Sequence, residues 1–446
     1  MSKNLVIILS ETRSHELTFD SFKNNVLNRL DADLCLCIGI KKDYNYDNPY
    51  YKLAKYKFLY NEPDDFGHAF DYAYNILSKE KPRYEKLENI NTLHGILHNP
   101  LQSTNNITYY GSYDSMDNLD SMINNLDFID DEEIIVYTKD YHDILLRNKV
   151  YGVKKGSINN YVNQENVITY KKPLYWRNFL KFKCDLMMGG IKDLFNSPVG
   201  STGILIFFRW FLLKNLIEKD LINKYDRFII TRSDFIYQLP HPKVEYMDEN
   251  FIWVPDGENY GYYAITDRHA ILSKNTIIPY LNMLNNMVIK SNLYFSKMKN
   301  LHRVLPDNEI SYDWINNKDS FYRKVEYEWC LEKFINFHLE QNNLEHLLRH
   351  FPYIMYSARS KNINSTWAFG TYHYKLGYYI KYWTEYLTSE YHRLKFIETN
   401  INIDEWYMSL INIEHVNNKR NRITSLSIYF PLFSELKYNF PSNDIQ

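Results

Sequence analysis

The residues with the most chemical promise lie in Phe228-Ile-Ile-Thr-Arg-Ser-Asp-Phe-Ile-Tyr237, where a buried β run ends in a cation and a carboxylate and then turns apolar again. A carboxylate in such surroundings is costly unless it is paired or bound. Arg232 and Asp234 are the residue types that neutralise phosphate charge, through a divalent cation held by the Asp or through the fork of the guanidinium. An ion pair at a strand end would have the same composition. A second group follows in Trp253-Val-Pro-Asp-Gly-Glu-Asn-Tyr-Gly-Tyr-Tyr-Ala-Ile-Thr-Asp-Arg-His-Ala270. Asp267 can bind a hydroxyl there, and Arg268 a phosphate or a structural carboxylate; a surface pair, or a cap on the next strand, is the alternative. The spacing of 33 positions from Asp234 to Asp267 suits a strand, a loop and a strand returning to one pocket. Glu309, in Pro306-Asp-Asn-Glu309, opens a helix; it is either a first-turn acid favoured by the helix dipole or an acceptor-side base.

These residues need a frame, and the start of the chain supplies one. Leu5 to Leu9 is an apolar run of strand length, followed by a polar turn and helical spacing at Phe19, Phe22, Val26 and Leu30, then by a second strand from Leu34 to Ile40. Strand, helix and strand in this order open a parallel α/β sheet. A helix is expected from Gly67 to Lys79. Loops, an insertion or a lid are expected over about 80–131, then a strand at Ile134 to Tyr137 and a helix at Tyr141 to Arg147. Long helices are expected at Leu174 to Leu194 and Thr202 to Ile222, the second leading into the strand that ends at Arg232. Ligands of open α/β sheets bind at the carboxyl ends of strands, which places Arg232 to Asp234 at a ligand-facing rim. Strands are expected at Phe251 to Pro255 and His269 to Leu272, and a helix from Asn275 to Val288. Beyond Pro306 the pattern is mostly helical, interrupted at Phe351 to Tyr356.

Composition narrows the class. A net charge of -2 and a pI near 6.7 give no surplus of cations for general nucleic-acid binding. Four cysteines are too few for a disulfide-built domain, and Cys35 and Cys37 share one strand face as a buried thiol pair, so a reducing, cytoplasmic setting is expected. The longest apolar stretch, Ile204 to Leu213, carries Arg209 and is too short for a membrane span, so a soluble chain is expected. With 446 residues there is room for a catalytic domain over 1–370 and a helical, Tyr-rich extension over 371–446.

Arg232-Ser233-Asp234 resembles the acidic strand-end motif of GT-A glycosyltransferases, often written DxD, with Arg in first place. The downstream segment is similar to a pattern in uncharacterised glycosyltransferase-like families, among them proteins of large DNA viruses and capsule-type clusters. Thr266 stands where Asn is usual and Tyr262 where a second Gly is common. Leu9-Ser-Glu-Thr-Arg13 resembles the first β-α-β unit of these families, and Tyr353 to Arg359 with Thr366-Trp367 resembles a late Arg-containing segment. The resemblance covers roughly the first 370 residues, thinly between 80 and 170. It implies a GT-A-like, Rossmann-type mixed sheet flanked by helices. It also implies transfer of a sugar from a nucleotide-diphosphate donor to a glycan or other hydroxyl. Ser10, Arg13, Arg232, Ser233, Asp234, Arg268 and Arg359 then belong to the donor site, Asp234 binds Mn or Mg, and Asp267 or Glu309 acts in catalysis. If the protein is viral, the setting would be the host cytoplasm. Two other readings are a catalytically inactive glycan- or nucleotide-binding protein on the same fold and a glycoside hydrolase working with paired carboxylates.

Overall fold

A computed structural model describes residues 3–9, 11–77, 188–192, 200–256, 264–291, 329–360 and 370–417, with isolated positions and short strands between them. The chain divides into two compact units. The first comprises Met1–Glu62, Phe208–Met283 and Tyr312–Gln446, and the second Pro63–Phe207 and Leu284–Ser311.

The first unit is built on a seven-stranded mixed sheet. Its opening is the expected strand, helix and strand: β1 (Asn4–Ile8), a helical run starting with α1 (His15–Phe22) and continuing through a π turn to Leu30, and β2 (Ala32–Ile40). Every β1 side chain is buried, and β2 is buried from Leu34 to Gly39, which explains continuous apolar runs in place of alternation. After α2 (Pro49–Leu53), β3 (Tyr56–Asn61) adds a parallel strand that the sequence pattern does not announce. β4 (Arg227–Thr231) lies parallel to β1 on its other side. Between β4 and the remaining large-sheet strands comes β5 (Phe235–Tyr237), which belongs to a smaller sheet. β6 (Ile252–Asp256) and β7 (Ala270–Ser273) occupy the two expected strand positions. β7 pairs antiparallel with β4, β6 antiparallel with β7, and β8 (Leu348–Pro352) parallel with β6. The order is β8-β6-β7-β4-β1-β2-β3.

The chain leaves β1 toward β2 and β3 on one side, and only later adds β4 on the other, so the direction of winding reverses between β1 and β4. Such a switch point opens a crevice at the carboxyl ends of the strands. The smaller sheet has the order β5, β9 (Met355–Arg359), β11 (Tyr378–Ile380) and β10 (Thr371–His373), all antiparallel neighbours. A pair of strands thus precedes the helices of the C-terminal stretch, α6 (Trp383–Thr399) and α7 (Ile403–Asn417).

Several helices end where the backbone requires it. The run expected from Thr202 to Ile222 stops as α3 (Thr202–Glu218), and Asp220 adopts a left-handed φ of 55° before a short helix, Leu221–Lys224. The run expected from Asn275 to Val288 divides at Asn282 into α4 (Lys274–Leu281) and a second helix, Met283–Ile289; α4 contains Pro279, which cannot donate to the helix ladder. α5 (Leu331–Gln341) buries its apolar stripe through Phe334, Ile335, Phe337 and Leu339. Phe351 to Tyr356, expected only as an interruption, lies across the end of β8 and the start of β9.

In the second unit, helix Gly67–Leu77 forms as expected, and Trp176 packs on Phe70 and donates its indole N–H to Asp71. The helix expected to reach Leu194 does not run through Met188 to Gly190, where the chain turns and Gly190 takes a φ of +90° that an L side chain rarely adopts. A five-stranded sheet has the order Thr92–Leu93, Ile96–Pro100, Val167–Lys171, Ile134–Thr138, Ile107–Thr108. The expected helix at Tyr141 to Arg147 and most of the expected insertion over 80–131 lie outside the described residues.

The thiols of Cys35 and Cys37 are fully buried, and burial pushes both well above the usual cysteine range. Among the described residues no helix is long and apolar enough to cross a membrane.

Candidate functional site

Strand register assembles the site. β7 pairs with β4 through Ala270↔Ile230 and Ser273↔Arg227. Continuing that antiparallel register by one residue sets His269 opposite Thr231, where His269 Nδ1 lies 3.1 Å from Thr231 Oγ1. One further step brings Arg268 to the level of Arg232. The smaller sheet does the same from the other direction. β9 pairs with β5 through Phe235↔Ser357, and the Ala358 amide donates to the Asp234 carbonyl at 2.8 Å. β11 pairs with β9 through Arg359↔Tyr379, and the Lys381 amide donates to the Ser357 carbonyl at 2.9 Å. Three strand ends therefore deliver Asp234, Arg359 and Lys381 to one place.

The centre is Asp234, with none of its surface exposed. Arg232 forks onto it through Nε to Oδ1 and Nη2 to Oδ2, both at 2.9 Å, and Arg359 Nη1 donates to Oδ2 at 2.6 Å. Burial alone would push the carboxyl up; the Arg232 and Arg359 guanidiniums override it and hold Asp234 well below the usual carboxylate range. Two guanidiniums thus share one carboxylate. Arg359 is 2 % exposed, and among the described residues neither its Nε nor its Nη2 has a hydrogen-bond partner. The hydroxyl of Ser357, two residues back and hence on the same strand face, is also buried without a partner. Each unsatisfied buried donor costs about 1–3 kcal/mol, so these donors favour an acceptor oxygen, from water or from a ligand.

Further charged groups of both signs surround this centre. Arg268 pairs with the buried Glu385, lies 3.6 Å from Asp267 and sits over the Tyr382 ring at 4.4 Å. The other oxygen of Glu385 accepts from the Ser357 amide at 2.7 Å, which anchors α6 to β9. Lys381 Nζ lies 4.6 Å from the same Tyr382 ring and has no carboxylate partner among the described residues. Burial, followed by the charges of Arg268, Arg232 and Arg359, pushes the Lys381 ammonium down to about 6. Asp267 is buried, and its carbonyl accepts from Arg209 of α3 at 2.5 Å. Burial, and then the Asp267 charge, push Glu332 of α5 above the usual carboxylate range.

The turn after β1 meets this centre through Ser233. Its hydroxyl donates to the Glu11 carbonyl at 2.5 Å and accepts from the Arg13 amide at 3.2 Å, and its carbonyl accepts from Thr18 and Tyr50. Ser233 is therefore fully engaged in holding the turn, where the sequence pattern suggested a ligand contact. Arg13 pairs with Glu11 at 2.9 Å, and its charge acts on both Asp234 and Arg359.

Arg13, Arg232, Ser233, Asp234, Arg268 and Arg359, together with Asp267, are thus brought together. Ser10 and Glu309 lie outside the described residues. Lys381, Glu385 and Glu332 join the group without having been singled out from sequence, where each is one charged residue in an unremarkable helix or loop pattern. Both oxygens of Asp234, the residue expected to hold Mn or Mg, accept from guanidiniums, and among the described residues no group of three or more His, Cys, Asp or Glu is placed to hold a metal ion. The residue types and the orphaned guanidinium donors suit an anion, with phosphate the best geometric match for an arginine fork.

Compared with known proteins, the chain matches no family model, no curated relative and no solved structure.

Proposed function

We propose that the protein is a GT-A-like glycosyltransferase whose donor, a nucleotide-diphosphate sugar, places its diphosphate against Arg359 and Arg232 at the switch point between β1 and β4. The observation that carries this reading is the pair of buried, unpartnered Arg359 donors beside the Arg232–Asp234 fork. In the reaction, the oxygen of an acceptor hydroxyl bonds to the anomeric carbon while the bond from that carbon to the diphosphate oxygen breaks. The nucleoside diphosphate leaves with the electron pair, and the hydroxyl proton passes to a base. Guanidinium groups fixed before the reaction stabilise the charge growing on the leaving phosphates. Asp267 and Glu332, whose charges act on one another, supply carboxyl groups for a sugar hydroxyl or for the departing proton.

The commitment of Asp234 to two guanidiniums also supports a second reading, a nucleotide-binding protein without turnover. A thermal-shift panel of nucleotides and nucleotide sugars, with and without Mn, tests the donor site. One nucleotide class should raise the melting temperature, and Arg359→Gln should abolish the rise. Absence of a shift with every nucleotide would remove the transferase reading, and a shift without release of nucleoside diphosphate in the presence of acceptors would favour the binding protein.

A further inference from the structure

We infer that this site neutralises a diphosphate with its own cations, Arg359, Lys381 and Arg13 joining Arg232 around it, and takes up no divalent metal to do so. The inference rests on the donor-site reading above and specifies how that site handles charge.

Three observations lead to it. A metal at a diphosphate is held on the protein side by carboxylate oxygens, and the carboxylate at the centre already accepts three guanidinium hydrogen bonds, two from Arg232 and one from Arg359. The same guanidinium that closes off Asp234 keeps two further donors buried and unsatisfied. A divalent cation placed among Arg232, Arg268 and Arg359 would meet like charge, whereas a dianion would meet opposite charge and accept from the Arg359 donors.

The ammonium of Lys381 belongs to this set for a geometric reason. It leaves β11 immediately beside Arg359's strand, with its amide fixed to the Ser357 carbonyl, and it shares the Tyr382 ring with Arg268. Neither an ion pair nor a hydrogen bond to a carboxylate holds it within the described residues. Arg13 enters from the turn after β1, fixed by its amide's bond to Ser233, with a buried Nε that has no partner among the described residues. The cations thus come from four separate segments, two of them on the smaller sheet and its exit, which ties the C-terminal hairpin to donor binding.

Calorimetric titration of the full chain with inorganic pyrophosphate tests this, once in EDTA and once with saturating Mn. Binding should be present in EDTA and should not tighten more than about twofold on adding Mn. Arg359→Gln should weaken it on the order of tenfold to a hundredfold, the loss expected for charge-assisted bonds to one group. Because Arg359 is buried and its replacement can disturb folding, Lys381→Met serves as the second variant; it should weaken binding severalfold and lower the salt dependence while the circular dichroism spectrum stays unchanged. Binding that disappears in EDTA and returns with Mn would overturn the inference and leave the donor reading standing. Metal-free binding untouched by both variants would also overturn it, since the anion would then sit elsewhere. Failure of pyrophosphate and of every nucleotide to bind, with or without Mn, would remove the inference and the donor reading together.

Discussion

At the scale of single residues, the decisive fact is who partners Asp234. The sequence shows an Arg and an Asp two apart at a strand end, and their types suit either a metal or a phosphate. It does not show Arg359, whose side chain arrives from a strand 125 residues further on and donates to an Asp234 oxygen that Arg232 also holds. The identity of Arg359 as a candidate came from resemblance alone, and Lys381 and Glu385 carry no local signal at all. Lys381 leads to a pH prediction. Its ammonium is pushed down to about 6, and a bound dianion would raise that value, so binding between the two values takes up a proton. Affinity for pyrophosphate should therefore be flat with respect to this group below about pH 6 and fall as pH rises above it, by at most about tenfold per unit. In Lys381→Met that fall should be absent; an unchanged profile would exclude Lys381 from the anion site.

At the scale of elements, the parts legible in the sequence were those with a clean period. β1, α1 and β2 stand out because two strands with continuous buried apolar runs flank an amphipathic helix, and β4, β6 and β7 because apolar runs are bounded by polar tips. β3 mixes Lys57 and Asn61 into a short run whose only buried residue is Phe58, so it lacks a strand signature. The β10–β11 hairpin is three residues a side in a Tyr-rich stretch, and its turn is set by Gly377 at a φ of +76°. Register, the property that brings the site together, is a pairing between distant segments and is not written in either segment alone. One local device does hold β7 in place: Ser273 accepts from the Asn275 amide while Thr276 accepts from the Ser273 amide, a capping box that joins β7 to α4. Ser273→Ala should cost about 1 kcal/mol in urea denaturation. A loss below a few tenths would show that the cap contributes nothing to fixing the segment that carries Asp267 and Arg268.

At the scale of the first unit, stability is tied to buried neutral histidines. His241 donates from Nδ1 to the Pro242 carbonyl, which can only accept, so its Nε2 accepts from His269 Nε2 at 3.1 Å. His269 Nδ1 then accepts from Thr231, whose hydroxyl oxygen accepts from Tyr237 at 2.7 Å, and the chain of bonds runs in one direction with both rings neutral. Burial pushes His241 down to about 4 and His269 well below the usual range; His338, which donates to the Pro279 carbonyl, is also pushed down to about 4. The unfolded chain binds protons at these groups near pH 6.5 and the folded chain does not, so stability is full above about 6.5 and declines as pH falls toward 4. The depressed carboxyl of Asp234 contributes in a lower window, below about pH 4. Urea midpoints should drop steadily from pH 6.5 to 4.5, and a flat profile over that range would contradict the neutral, buried arrangement of these rings.

The most direct test of the anion site is a crystal structure of the protein with a nucleoside diphosphate bound, grown in EDTA. The two phosphates should lie at the rim between β1 and β4, with phosphate oxygens within hydrogen-bond distance of Arg359 Nε and Nη2 and with Asp234 still held by Arg232. A diphosphate found elsewhere on the chain, or one reaching Asp234 only through a metal ion added back, would contradict the account.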